Sequence, residues 1–111
     1  MNKDAEIVAA GYNRIAAVYN EWARTARSAE RENYIRKVRE RCNPGGTILD
    51  VGCGNGDFVT RHFVTDSRVV GVDVSEKQIS EARRIVPEAT LMRGDVRECT
   101  FEPATFDAIV S

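Results

Sequence analysis

The chain has one histidine, one tryptophan and three cysteines in 111 residues, and each scarcity removes a class of function. Cys42, Cys53 and Cys99 are odd in number and contain no Cys-x-x-Cys pair, which argues against a disulfide framework and a zinc site and leaves them as reduced thiols. His62 falls several residues beyond a glycine-rich loop, where a surface or packing role suits it better than proton transfer, so no catalytic base can be named. Neither sign of charge dominates: 16 Lys and Arg face 17 Asp and Glu, a formal net charge of -1, which excludes a global basic field for nucleic acid or anionic membrane. No apolar run approaches the roughly 20 residues of a membrane span. Met1 to Glu6 lacks the basic start and apolar core of a signal peptide. The expectation from these absences is a cytoplasmic protein with no membrane partner. A chain of this length builds one domain that buries about two thirds of its unfolded surface.

What the sequence does contain is organised around Thr47 to Phe58. Thr47–Val51 is a short β-branched and apolar run, glycines come next, and Phe58, Val59, His62 and Phe63 then recur at helical spacing, a strand-loop-helix pattern. Such a loop lies at the carboxyl end of a strand, where ligands bind in open α/β sheets. A dinucleotide fingerprint needs glycine at its first, third and sixth positions. Here the glycines are Gly52, Gly54 and Gly56, the sixth position is Asp57, and Asp50 and Asp57 bracket the loop. Two carboxylates would repel a pyrophosphate, which seeks backbone N–H groups and a helix N-terminus. They suit a ligand that lacks phosphate and carries an ammonium and a sulfonium, which places S-adenosyl-L-methionine ahead of NAD.

The flanking segments complete an alternating pattern. Asp4 to Ala23 carries Ile7, Val8, Ile15, Val18, Tyr19 and Trp22 in a helical stripe interrupted near Gly11, which predicts a helix, or two with a break, packed over the sheet. Arg24 to Arg41, with Arg27 among its many charges, is an amphipathic helix starting near Ser28 and ended by Asn43-Pro44-Gly45-Gly46. Ser67–Asp73 reads as a second strand, Ser75–Val86 as a capped helix stopped by Pro87, Ala89–Arg93 as a third strand and Phe106–Ser111 as a fourth. Arg97 to Thr105 is too short and broken for a full helix. Asp73 stands 21 positions after Gly52, the distance at which an acid ending the second strand meets a ribose, although it could instead serve as a cap for the next helix. Asp95 is open to a turn role.

Leu49-Asp50-Val51-Gly52-Cys53-Gly54-Asn55-Gly56, Gly71-Val72-Asp73-Val74-Ser75, Gly94-Asp95-Val96 and Phe106 to Ser111 together resemble the ordered motifs of class I S-adenosylmethionine-dependent methyltransferases, closest to the small-molecule group related to ubiquinone and menaquinone biosynthesis. The resemblance implies a Rossmann-like open parallel sheet of order 3-2-1-4, with helices on both faces and an N-terminal helical lid. It implies one domain, residues 1–43 forming the lid and 44–111 the core, supplying the first part of the family's seven-stranded fold. It further implies that Asp50, Gly52, Cys53 and Gly54 line the methionine portion of the cofactor, Asp73 and Val74 the ribose, and Asp95 and Val96 the adenine. Tyr19 of the lid would approach the cofactor, and the Ser111 carbonyl would receive its ammonium. Asn20 departs from the Asp usual after that tyrosine. Cys53 is read as a small side chain that fits the loop, and no metal is expected.

The expected acceptor is a small molecule. Ile109-Val110-Ser111 does not begin the Asn/Asp-Pro-Pro-Tyr/Phe pattern of amino-directed DNA methyltransferases, which disfavours nucleic acid. Two other readings stay open here: a non-catalytic S-adenosylmethionine-binding or assembly subunit needing a partner chain, and an NAD-binding module. The fourth strand, bearing Phe106, Ala108, Ile109 and Val110, would be an exposed edge, which predicts self-association or a partner chain there.

Overall fold

The computed structural model describes residues 1–26 and 28–111; Arg27 lies outside the described residues. Two helices, α1 (Lys3–Thr25) and α2 (Ser28–Arg41), precede β1 (Thr47–Val51), α3 (Thr60–Phe63), β2 (Arg68–Asp73), α4 (Glu76–Ile85), β3 (Thr90–Arg93), a 3₁₀ turn (Val96–Glu98) and β4 (Ala108–Val110). The strands form one parallel sheet of order β3-β2-β1-β4. Its order and parallel sense are those expected. The strand order therefore reverses between β1 and β4, and the carboxyl ends of those strands flank the crevice where α/β folds bind ligands.

The β1-to-β2 and β2-to-β3 crossovers advance in the same direction, so right-handed connections put α3 and α4 on one face. Ile35 of α2 and Phe63 of α3 pack there with Ile48, Val69 and Val110 into the core. On the other face the connection from β3 back to β4 contains only the single 3₁₀ turn and an irregular stretch, in which Phe101 and Phe106 meet edge to face at 5.0 Å. Ile109 is 66% exposed on edge strand β4.

Two helices differ from expectation. The N-terminal helix runs unbroken through Gly11, whose cost of about 1 kcal/mol relative to Ala is absorbed over 23 residues. It is capped by Asn2, whose Oδ1 accepts the Ala5 N–H at 2.9 Å. It also docks through the opposite kind of surface from the one its apolar stripe suggests. Ala5, Ala9, Ala16 and Ala23 are buried, while Ile7, Ile15, Val18 and Trp22 are 63%, 51%, 75% and 61% exposed. Small side chains allow close approach to α4, and two asparagines on that side find polar partners. Asn13 Oδ1 accepts from the Ser75 hydroxyl at 2.6 Å and from the Lys77 N–H at 3.2 Å, adding a cap from outside to the α4 N-terminus. Asn20 and Gln78 exchange a reciprocal pair of amide hydrogen bonds, both 2.9 Å. An aspartate at position 20 could accept one of these bonds but not donate the other, which gives the departure from the family's usual residue a local reason.

The helix after the glycine loop is only one turn long. Asn55 Oδ1 accepts the Asp57 N–H at 3.0 Å, an Asx turn that carries the chain to Thr60 before helical bonding begins. Gly56 has φ of 79°, and a Cβ there would stand 2.6 Å from Cγ2 of the buried Val86. Gly56→Ala is expected to cost about 3 kcal/mol through left-handed strain and overlap, whereas Gly11→Ala, with open space around it, is expected to stabilise by about 0.8 kcal/mol. Urea denaturation of both variants checks this contrast.

Candidate functional site

Three backbone segments meet at the carboxyl ends of β1, β2 and β3, and α1 closes over them to leave a cleft of about 250 Å³. Gly52 and Gly54 supply one wall. The Gly52 and Cys53 N–H groups both donate to the Val72 carbonyl, at 2.8 and 3.1 Å, which folds the loop against the end of β2. Asp73 then fastens it: Oδ2 accepts the Gly54 N–H and Oδ1 the Ser75 N–H, each at 2.9 Å. Ser75 caps α4 in turn, its Oγ accepting the Gln78 N–H at 3.2 Å. A carboxylate oxygen has two acceptor directions, so each Asp73 oxygen keeps one for a ligand hydroxyl. Asp73 thus makes the turn bond to the next helix and also lines the cleft.

Asp95 and Val96 form the adjoining wall. Asp95 caps the 3₁₀ turn through the Arg97 N–H at 2.9 Å and meets the Arg97 guanidinium at 3.0 and 2.5 Å. Those hydrogen bonds hold its carboxyl below the usual range. The turn role is thus present, and the same residue faces the cleft. Val96 opens the 3₁₀ turn, and the first N–H of such a turn has no partner inside it.

The outer wall comes from α1 through Val8, Tyr12 and Tyr19. Tyr12 and Tyr19 stack edge to face at 5.4 Å, and Tyr19 continues to Trp22 at 5.9 Å. Burial raises the Tyr19 phenol above its ordinary range, with Tyr12 and Asp73 adding to the effect.

Of the ten sequence candidates, Tyr19, Gly52, Gly54, Asp73, Val74, Asp95 and Val96 line this cleft. Asp50 and Cys53 lie beneath the loop instead. The Asp50 side chain turns toward the helix-covered face, where the Thr60 hydroxyl donates to it at 2.6 Å. Cys53 is buried against Gly71, at which a Cβ would come within 2.9 Å of the sulfur. Burial pushes its thiol well up and keeps it protonated, in keeping with a small loop-fitting side chain. Ser111 lines a second cavity that shares Tyr19 and Phe58 with the first. Sequence reasoning missed Phe58, Tyr12 and Gln78 as cleft residues. Gln78 carried a usable signal, a polar side chain one turn before Ala82 on the apolar side of α4. His62 lies away from the cleft beside Arg36 and Arg39, its pKa lowered by burial and by Arg61, Arg39 and Arg31. Among the described residues no group of three potential metal ligands occurs, and no helix is long and apolar enough to cross a membrane.

A glycine loop after β1, an acid ending β2 and an acid at the end of β3 thus face one cleft, and the stretch of chain that supplies them matches a known family. The family described as "Methyltransferase domain" matches residues 48–111. The chain is 33% identical over 109 residues to a malonyl-[acyl-carrier protein] O-methyltransferase of Erwinia pyrifoliae, covering 96% of this chain and 39% of that protein. Among solved structures, a TehB-like S-adenosylmethionine-dependent methyltransferase from Corynebacterium glutamicum superposes with a TM-score of 0.71 at 26% identity, covering 90% of this chain and 53% of that one. An amino pentose methyltransferase from Micromonospora echinaspora with S-adenosylmethionine bound gives a TM-score of 0.66 at 28% identity, covering 83% and 40%. The chain belongs to the class I S-adenosylmethionine-dependent methyltransferase family. It spans about two fifths of the length of the curated relative and about half or less of the two structures.

Burial raises the Asp50 carboxyl from 3.8 to about 6, the Thr60 hydrogen bond working against that shift and the Asp73 charge with it. The folded chain therefore holds this proton to higher pH than the unfolded chain, and its stabilising contribution is lost as pH rises from about 4 to above 6. Asp50→Asn keeps an acceptor for Thr60 and removes the titration. Wild type is expected to lose up to about 3 kcal/mol relative to this variant between pH 4 and pH 7, as read by urea denaturation at both pH values.

Proposed function

We propose that the chain forms the cofactor-binding part of a cytoplasmic S-adenosylmethionine-dependent methyltransferase acting on a small molecule. The observation that carries this reading is the convergence of the Asp73 carboxylate, the Gly52-to-Gly54 backbone and the Asp95-Val96 turn on one cleft beneath Tyr19. The donor set fits the cofactor: free acceptor directions on Asp73 for two vicinal ribose hydroxyls, and an acceptor and donor side by side at Asp95 and Val96 for an adenine edge. Asp95 would share its oxygens between Arg97 and the adenine amino group. Gly52 and Gly54 would flank the methionine portion, Val74 would pack beside the ribose, and the Ser111 carbonyl would receive the ammonium. Asp50 and Cys53 enter as supports of the loop from below.

Bound S-adenosylmethionine supplies an already activated methyl group, so the chain's own task is to bind and orient. In this reading residues 1–43 act as the lid and 44–111 as the core of one domain, with Tyr12 and Tyr19 shielding the reacting centre from water. Cys42, Cys53 and Cys99 are free thiols. A methyl acceptor of low molecular mass accords with the near-neutral net charge. Edge strand β4, with Ile109 outward, is the surface through which a second copy or a partner chain would pair. Light scattering after size exclusion is expected to show a mass that rises with concentration; a constant monomer mass would remove the self-association.

Calorimetric titration with S-adenosylhomocysteine is expected to give saturable one-site binding, no binding of NAD, and at least a tenfold loss of affinity in Asp73→Ala. Tighter binding of NAD, or no binding of S-adenosylhomocysteine by folded protein, would overturn the reading.

A further inference from the structure

Beside the cofactor cleft lies a second cavity of about 450 Å³ between α1, α2 and the loop after β1. It opens off the first through shared Tyr19 and Phe58. Its other walls include Trp22 and Tyr34, so four aromatic side chains surround a space of small-molecule size. Trp22 and Tyr34 are among the exposed large apolar residues of the chain, and their rings give flat surfaces for another ring to lie against.

One cation is fixed among these rings. The Arg31 guanidinium lies 5.2 Å from the Phe58 ring centroid. Its Nη1 donates to the Ala23 carbonyl at 2.9 Å and its Nη2 to the Arg24 carbonyl at 3.2 Å, so the side chain is anchored by the last turn of α1. Both partners are neutral carbonyls, and among the described residues no carboxylate lies at ion-pair distance from Arg31. Two of five guanidinium donors are used, which leaves charge and N–H groups for a planar anion. Glu30 also borders the cavity but is exposed, where solvent screens it, while Arg31 is half-buried. A cationic guest would meet Arg31 already seated on Phe58.

We propose that this cavity seats the methyl acceptor and that the acceptor is a flat aromatic or conjugated molecule bearing a carboxylate, its ring against Trp22 and Tyr34 and its anionic group at Arg31. The inference rests on the methyl-transfer reading and adds the chemistry of the second substrate. Trp22 is the sole tryptophan, so its indole N–H gives one magnetic resonance signal at the cavity.

The test titrates the ¹⁵N-labelled chain, with and without S-adenosylhomocysteine, with 2-naphthoate, its neutral amide and 2-naphthylmethylammonium. The expected result is a saturable shift of the Trp22 indole signal by naphthoate, with at least tenfold tighter binding than either analogue. Arg31→Gln should reduce that preference to within about twofold. Trp22→Ala, at an exposed position that should not disturb folding, should weaken naphthoate at least fivefold by calorimetry and leave S-adenosylhomocysteine affinity unchanged. Equal binding of the amide, tighter binding of the ammonium, an unmoved indole signal, or a preference that survives Arg31→Gln would overturn the proposal. If S-adenosylhomocysteine binds normally while naphthoate fails, only the acceptor chemistry falls; if S-adenosylhomocysteine itself fails to bind, the methyl-transfer reading falls and takes this inference with it.

Discussion

The carboxylate of Asp73 ties the glycine loop after β1 to the entry of α4. One oxygen fixes the glycine loop at the end of β1 and the other fixes the entry to α4. Charge-assisted bonds to backbone N–H groups are stronger than neutral ones, and they fix backbone position rather than a mobile side chain. From there the order propagates: Ser75 caps α4, and Asn13 of α1 bonds to Ser75 and the next turn. A single acid at the end of the second strand thus sets the floor of the cleft, the direction of a crossover helix and the seat of the N-terminal helix. The same side chain that organises the cleft also lines it.

The loop above this carboxylate is supported by a different chemistry. Asp50 and Thr60 form a buried polar pair below it, and Cys53 fills the space left by the absent side chain of Gly71. The glycine-rich stretch therefore has two constrained sides: a closely packed surface beneath, holding the Asp50–Thr60 pair and Cys53, and a polar backbone edge above. Its residues divide between those sides, which is why two of the candidates drawn from one continuous motif do not reach the cleft.

The sheet was legible because its signals are local and mutually consistent: β-branched runs, glycines after the first strand, Ser75 as a cap and Pro87 after the fourth helix. Asp73 was legible from its spacing to Gly52. The orientation of α1 was not. Its sequence offers two contiguous faces, one of large apolar residues and one of alanines and asparagines, and hydrophobicity ranks the first as the inner one. Which face docks is decided by partners over 50 residues away, Ser75 and Gln78, that reward hydrogen-bonding capacity and small size. The short third helix was hidden for a related reason. Phe58 and Val59 stand at helical spacing from His62 and Phe63, but the Asn55 turn delays the first helical bond until Thr60. The cleft's outer wall was accordingly legible only in part, with Tyr19 found and Tyr12 missed.

Small side chains and amides, not large apolar ones, join α1 to α4 and the rest of the fold. Ala5, Ala9, Ala16 and Ala23 are the buried residues of α1 and a reciprocal amide pair ties it to α4, whereas Ile7, Ile15, Val18 and Trp22 are exposed. Lifting α1 uncovers little apolar area, and its asparagines regain hydrogen bonds from water. The sheet below has its own core, with Ile35, Phe63 and Val69 in it. Separating α1 from the sheet would therefore cost less buried apolar surface than unfolding the core beneath it.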